Sequence, residues 1–295
     1  RLGDEEKAQK FYQLAANDEA PEKIQYLAEK KLIKTTKKAK QKKEKNWDVY
    51  TSVAYGYDDN VKLIAEDMAS GQSDSYWQAY GRVRYTTPIN ARIYASIFDI
   101  QYDDLDEEDY RSLKAGIDYP FKLEQWKITP ALEYSESELG DDDYQDITDY
   151  KLKARKRFGK NSLTLSYRYS DIDAADNQYD YLEGDKHRVR INYRMPIDIG
   201  KLRLRYQYET NDRKDTANTS YSPDRHTLEA KLAHELKDSW EVYVDGNYRY
   251  SDYPSKGGRE REDDRYRMAM GTEYELNKTW SISANYESPA NNSDL

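Results

Sequence analysis

The chain has no cysteine, so disulfide frameworks and thiolate metal sites are excluded, while the compartment is left open. No segment approaches the roughly 20 consecutive apolar residues of a membrane-spanning helix. Histidine is scarce, with three in 295 residues, and neither a glycine-rich phosphate loop nor zinc-ligand spacing occurs. Hydropathy is low, with 35% charged residues and a formal net charge of -9, which by itself describes a very polar soluble protein or a disordered one. Disorder is a poor fit, because disordered chains are depleted in aromatics and this one carries 30 Tyr and 5 Trp.

What is present is alternation. From Trp47 onward, stretches of about 9 to 11 residues alternate apolar or aromatic with polar, the length a tilted strand needs to cross a bilayer. Residues 201–209 put Leu202, Leu204, Tyr206 and Tyr208 on one face and Arg203, Arg205, Gln207 and Glu209 on the other. Residues 187–195 split Val189, Ile191, Tyr193 and Met195 from Arg188, Arg190, Asn192 and Arg194 in the same way. A barrel wall reads like this, because only alternate residues meet lipid and the rest face a polar interior. The fold class expected is an all-β antiparallel transmembrane barrel over residues 47–295, preceded by a short α-helical segment over 1–46.

About thirteen strands are expected, near Trp47, Trp77, Ile93, Leu113, Trp126, Leu152, Leu163, Val189, Leu202, Leu228, Val242, Met268 and Ile282. Single-chain barrels usually have an even number, so about fourteen are expected in the intact protein, with the last one missing here. No leader is visible at Arg1, so a processed or trimmed chain is expected. Short connections alternate with long polar ones such as residues 60–75 and 211–224, matching periplasmic turns and external loops. Trp47, Trp126, Trp240 and Trp280 then begin outward strands at the periplasmic rim. Tyr55, Tyr57, Tyr206, Tyr208, Tyr248 and Tyr250, with Tyr134, Tyr167, Tyr169 and Tyr286, form a second girdle. Pro130 lies inside an expected strand, where it removes a ladder hydrogen bond unless a bulge absorbs it. Around 92–102 both faces look apolar, and no inward side can be assigned.

The interior face is expected to be charged. Lys151, Lys153, Arg155, Arg157, Arg168, Arg188, Arg190, Arg194, Arg203 and Arg205 supply its basic side, and Asp118, Glu133, Glu229, Glu241, Asp245 and Glu273 its acidic side. The arrangement is either a set of cross-lumen ion pairs that keep a wide barrel round, the reading favoured, or a transverse field across a conduit. No catalytic residue is expected. His226 and His234 lie on the apolar face of one strand without a Ser partner, and interfacial or structural roles fit all three histidines. Acidic clusters at Asp103–Asp109, Asp141–Asp143 and Glu262–Asp264 lack the spacing of a calcium loop and read as solvated surface. No cofactor and no metal are expected. Nucleic acid is a poor partner, because the basic run before the barrel lacks interleaved aromatics. Outer-membrane lipid and lipopolysaccharide are expected partners.

Residues 1–46 are rich in Ala, Glu, Gln and Lys at helical spacing and are expected in the periplasm. Gly3, Ala8, Tyr12 and Ala15 resemble the second half of a tetratricopeptide repeat, with Pro21 one residue late for that pattern, and a basic linker helix follows at 30–45. With the first strand, in which Gly56, Tyr57, Asp58, Asp59, Asn60 and Val61 carry the likeness, this layout resembles the surface lipoprotein assembly modifier (Slam) family. The resemblance implies periplasmic helices that receive a client protein and an outer-membrane barrel that delivers it to the cell surface, with no catalytic residue. The alternatives are an exopolysaccharide export porin, which also pairs such repeats with a barrel but usually one of about sixteen strands, and a barrel that only anchors a surface assembly and conducts nothing.

Overall fold

A computed structural model describes residues 46–58, 73–237, 239–276 and 281–294. The helical segment expected at 1–46 lies outside these residues but for Asn46, as do Trp280 and Asp59–Val61 of the first-strand motif. Fourteen strands form one antiparallel sheet: β1 (Trp47–Asp58), β2 (Asp74–Thr86), β3 (Arg92–Tyr102), β4 (Tyr110–Asp118), β5 (Phe121–Leu123), β6 (Trp126–Leu139), β7 (Asp142–Phe158), β8 (Asn161–Ala174), β9 (Gly184–Ile197), β10 (Gly200–Arg213), β11 (Asp224–Lys237), β12 (Trp240–Lys256), β13 (Arg259–Glu275) and β14 (Ser281–Asp294). Each long strand pairs with its sequence neighbours, from β1 to β14, and all of the sheet but the first four residues of β1 falls in a compact unit running from Thr51 to Leu295. The short β5 continues the line of β4, and both pair with β6. The thirteen long strands coincide with the thirteen segments expected from alternation.

Pro130 explains why β4 and β5 are separate. No bulge absorbs it, and the neighbouring strand breaks instead. In an antiparallel sheet the amide and carbonyl of one residue point to the same neighbour. The Pro130 carbonyl accepts from the Tyr119 amide at 3.0 Å, so its missing N–H also faces the Tyr119–Pro120 gap between β4 and β5.

Side chains divide the sheet into an apolar face and a polar one. Val49, Val53, Ile93, Ile97, Leu113, Ile117, Leu132, Leu152, Leu165, Val189, Ile191, Leu204, Leu228, Val244, Met268 and Met270 are all exposed on one face. The residues between them include Glu133, Asn192, Arg203, Arg205, Glu229, Glu241, Asp245 and Glu273, all buried. This inverts the arrangement of a water-soluble protein and matches a wall whose outside is hydrocarbon. No second layer covers the polar face among the described residues, so its burial arises from the curvature of the sheet and from its own long side chains. The ambiguity at 92–102 also disappears: Tyr94 is buried on the polar face, while Ile93 and Ile97 are exposed on the other.

Three glycines on the polar face make room for tyrosine rings. A Cβ on Gly116 would lie 2.6 Å from the Tyr94 ring, and one on Gly271 would lie 2.5 Å from the Tyr243 ring. Each pair is directly opposed on adjacent strands. Gly56 and Tyr76 repeat the device on β1 and β2. The ring covers backbone that glycine leaves bare, so the pair anchors register on the polar side.

The apolar face ends in two different borders. At the short-turn end it carries Trp47, Tyr119, Phe121, Phe158, Ile199, Trp240 and Tyr274, all exposed. At the other end come Tyr134, Tyr169, His187, Tyr208, His226 and Tyr250, and one step further the same face turns acidic. Glu136 opposes Asp146, Asp185 lies between Asp171 and Asp212, and Asp252 lies between Asp224 and Glu262. Apolar, then Tyr and His, then carboxylate is the order of hydrocarbon, headgroup and water. Trp77 belongs to this second belt, with its ring 4.9 Å from that of Tyr55.

Loop lengths differ from expectation at two hairpins. Strands β6 and β7 meet at Gly140–Asp141, and β12 and β13 at Gly257–Gly258, so segments expected to be long loops are strand that extends past the acidic border. Gly140, Gly257 and Gly258 all have positive φ, as two-residue hairpin turns require.

If the apolar face meets hydrocarbon, Leu204→Lys should cost about 2–4 kcal/mol in urea titrations from lipid vesicles. Asn247→Lys, on the polar face opposite Glu229, should change stability by less than about 1 kcal/mol.

Candidate functional site

The polar face carries the candidate site, and its charges are ordered by register. All six acidic residues expected there, Asp118, Glu133, Glu229, Glu241, Asp245 and Glu273, are buried. The ten basic residues share the parity of this face: Lys151, Lys153, Arg155 and Arg157 on β7, Arg168 on β8, Arg188, Arg190 and Arg194 on β9, and Arg203 and Arg205 on β10.

Ion pairs join neighbouring strands. The favoured expectation of pairs across a lumen is corrected on this point. Glu229 receives Arg203 at 2.6 Å and Arg205 at 3.0 Å. Glu209 receives Arg188 at 2.6 Å and Arg225 at 3.4 Å from the strands on either side. Glu133 binds Lys151 at 2.6 Å and Lys114 at 3.2 Å and accepts from the Tyr94 hydroxyl at 2.9 Å. Asp149 joins Arg168 at 3.4 Å, and Asp245 joins Arg267 at 3.1 Å. Arg92 and Asp118 pair in the same way. Adjacent strands lie about 4.8 Å apart, within reach of any long side chain, so near partners capture these charges first. They stitch the wall.

One row departs from this pattern. Thr129 opposes Lys153, and the register continues through Ser166, Arg190, Gln207, Thr227, Arg249 and Arg265. The row crosses β6 to β13 and contains no carboxylate. Arg190 donates to Gln207 Oε1 from Nη2 at 2.7 Å and from Nε at 3.0 Å. Arg249 and Arg265 are directly opposed, and among the described residues neither makes an ion pair. Sequence reasoning missed Arg225, Arg249, Arg265 and Arg267, although the same alternation marks them in residues 224–228, 247–251 and 265–269.

The other expected positions fall as follows. Trp47 and Trp240 are exposed at the short-turn border and Trp126 is half-buried there. Tyr55 and Tyr57 are exposed at the opposite border, where Tyr206, Tyr208, Tyr248 and Tyr250 are half-buried. His187 lies 2.7 Å from the Tyr167 hydroxyl and His226 2.9 Å from that of Tyr206. His234 Nδ1 sits 2.7 Å from the Ile199 carbonyl. Among the described residues no group of three or more His, Asp and Glu converges as metal ligands.

Beyond the acidic border the loops are tied down. Residues 214–223 fold around Asp215, which accepts from the Tyr221 amide at 2.6 Å and the Ser222 hydroxyl at 2.9 Å and pairs with Lys256 at 3.4 Å. Burial pushes this carboxyl up. The Tyr221 amide, the Ser222 and Ser220 hydroxyls and Lys256 outweigh it and hold the group below its ordinary range. Tyr181 and Tyr221 meet with ring centroids 4.6 Å apart, joining this loop to the one between β8 and β9.

A continuous antiparallel sheet with an apolar exterior, two aromatic borders and a buried charged face is that of an outer-membrane β-barrel. Residues 151–294 match the outer membrane protein beta-barrel domain family, a span that holds the whole row from Lys153 to Arg265. No curated protein matches the sequence. Among solved structures, the chain is similar to a bacterial polysaccharide outer membrane secretin, with 13% identity over 84% of this chain and 82% of that one and a TM-score of 0.49. It is similar to Pseudomonas aeruginosa OccK2 (OpdF), solved in complex with glucuronate, with 15% identity over 75% and 67% and a TM-score of 0.47. It is also similar to the NanC porin, with 13% identity over 77% and 99% and a TM-score of 0.40.

Two outcomes follow. Glu229→Ala leaves Arg203 and Arg205 buried without their shared carboxylate and should cost about 3–5 kcal/mol in urea unfolding. Because Asp215 is held low, its contribution to the loop is complete above the ordinary carboxylate value of 3.8 and is lost as pH falls through its lower folded value. Pepsin cleavage within residues 214–223 should therefore rise only well below pH 4 in the native chain, while Asp215→Asn should raise cleavage already at pH 5.

Proposed function

We propose that this chain is an outer-membrane conduit that passes a polar solute or polymer along its charged face, from the periplasm to the cell surface or back. The observation that carries the reading is the row through Lys153, Arg190, Arg249 and Arg265. Charges whose only duty is to hold strands together are matched by carboxylates on the neighbouring strand, as at Glu133, Glu209 and Glu229. A row of cations and neutral hydrogen bonders with no carboxylate has a second duty, and contact with a passing solute supplies one. Export of a polysaccharide is one form of this activity and solute uptake another.

Delivery of a client protein is the reading that the resemblance to the Slam family implies. It rests on the helical spacing and composition of residues 1–46 and on the likeness at Gly56–Val61. The conduit reading is preferred because the charge pattern supports it without a client.

The test is conductance of the purified full chain in planar lipid bilayers in 1 M KCl. Discrete, voltage-stable channels support the conduit. A folded, heat-modifiable protein that inserts and carries no current contradicts it and leaves the anchor or the client-delivery reading.

A further inference from the structure

We infer that the carboxylate-free row is a binding track for an extended polyanion, centred on Arg249 and Arg265; the inference rests on the conduit reading and specifies its cargo. The argument begins with the pair itself. Directly opposed residues on adjacent strands hold their Cβ atoms about 5 Å apart, and like charges so placed destabilise the pair. Elsewhere on this face opposed arginines have an acid beside them. Arg168 and Arg188 are served by Asp149 and Glu209, and Arg203, opposite Arg194, is served by Glu229. Arg249 and Arg265 make no ion pair among the described residues: Asp263, the same-face carboxylate two residues from Arg265, is held by Arg261 at 2.6 Å. A carboxylate or phosphate oxygen from a ligand supplies the missing charge, and a guanidinium fork presents donors in the geometry such groups accept.

The length of the row sets the kind of anion. From Lys153 on β7 to Arg265 on β13 there are six strand spacings of about 4.8 Å, roughly 29 Å along the face. Cations recur at β7, β9, β12 and β13, separated by Ser166, Gln207 and Thr227, which bind hydroxyls or carbonyls between charged groups. A single small anion occupies one point on such a track. A chain with negative groups at intervals and hydroxyls between them engages all of it, and each further contact raises avidity without tightening any one site.

The acidic parts of the chain do not cancel this attraction. Asp143 lies ten residues along β7 from Lys153, and Glu241 lies eight along β12 from Arg249. At about 3.3 Å per residue these separations are roughly 33 and 26 Å. Screening in physiological salt acts over about 8 Å, so neither of these two reaches the row, and the nearer same-face carboxylates Glu209 and Asp263 are held by arginines outside it, Arg188 and Arg225 for the first and Arg261 for the second.

The experiment uses the full chain in planar bilayers with a KCl gradient, followed by micromolar oligogalacturonate and, separately, inorganic polyphosphate. The expected result is a reversal potential on the anion side and block by at least one of the two polymers. The double variant Arg249→Gln, Arg265→Gln should weaken block at least tenfold, and Arg249→Lys, Arg265→Lys should retain most of it. Block by the uronate alone identifies carboxylate as the group read, and block by polyphosphate alone identifies phosphate. Cation selectivity, or block unchanged in the Gln variant, overturns the track. Where the wild type carries no current, the conduit reading fails by itself. Titration calorimetry of the detergent-solubilised chain with the same polymers then judges the track separately: binding lost in the Gln variant upholds it, and no binding to the wild type overturns it. If the double variant does not reach its heat-modifiable form, Arg249→Gln alone is used with the same readouts.

Discussion

The constraint on which the rest of this structure depends is that hydrocarbon supplies no hydrogen bonds. A strand in that medium must satisfy its backbone through both neighbours, and the pleat then sends successive side chains to opposite faces without exception. Thirteen long strands in an unbroken antiparallel order meet the first demand, and one apolar and one charged face follow from the second. The interruption at Tyr119–Pro120 shows how tight the constraint is. A single missing amide at Pro130 is accommodated by opening the neighbouring strand for two residues, with the Pro130 carbonyl still bonded to Tyr119.

Charge on the inner face is then governed by distance. A lysine or arginine can reach the adjacent strand with little entropy lost to searching, and Glu133, Glu209 and Glu229 each gather two cations this way. Such clusters are weak evidence of net stability, because burying ions is costly even when they are paired. Their consistent effect is on register, since a slip by one residue would turn every one of them toward lipid. The tyrosines seated over Gly116 and Gly271 act in the same direction. Against this background the row through Arg249 and Arg265 stands out by composition, because it holds no carboxylate.

Much of the fold was legible in the sequence because parity is a local property. The alternation of Leu202 with Arg203 and of Leu204 with Arg205 fixes which residues are buried before any pairing is known. The hairpins at Gly140 and Gly257 were harder to read, since acidic residues flanking a glycine resemble a solvated loop until the strands are seen to continue. The row was not legible, because it depends on register across eight strands. At the β12–β13 hairpin a two-residue turn counted from Lys256 and Arg259 sets Arg249 against Tyr266. The irregularity between Tyr253 and Lys256, where Pro254 sits, moves its partner to Arg265. Residues 1–45 fall outside the described residues, so the likeness of that segment to a tetratricopeptide repeat stands on its residues alone.

The most direct test of the two-faced wall is a spin-label scan of β10, which the absence of native cysteine makes simple. Single cysteines from Leu202 to Tyr208 would be labelled and the protein reconstituted in lipid vesicles. Accessibility to oxygen and to a water-soluble nickel chelate should alternate with a period of two, with oxygen favoured at 202, 204 and 206 and suppressed at 203, 205 and 207. Uniform accessibility along the strand, or oxygen favoured at 203 and 205, would contradict the account.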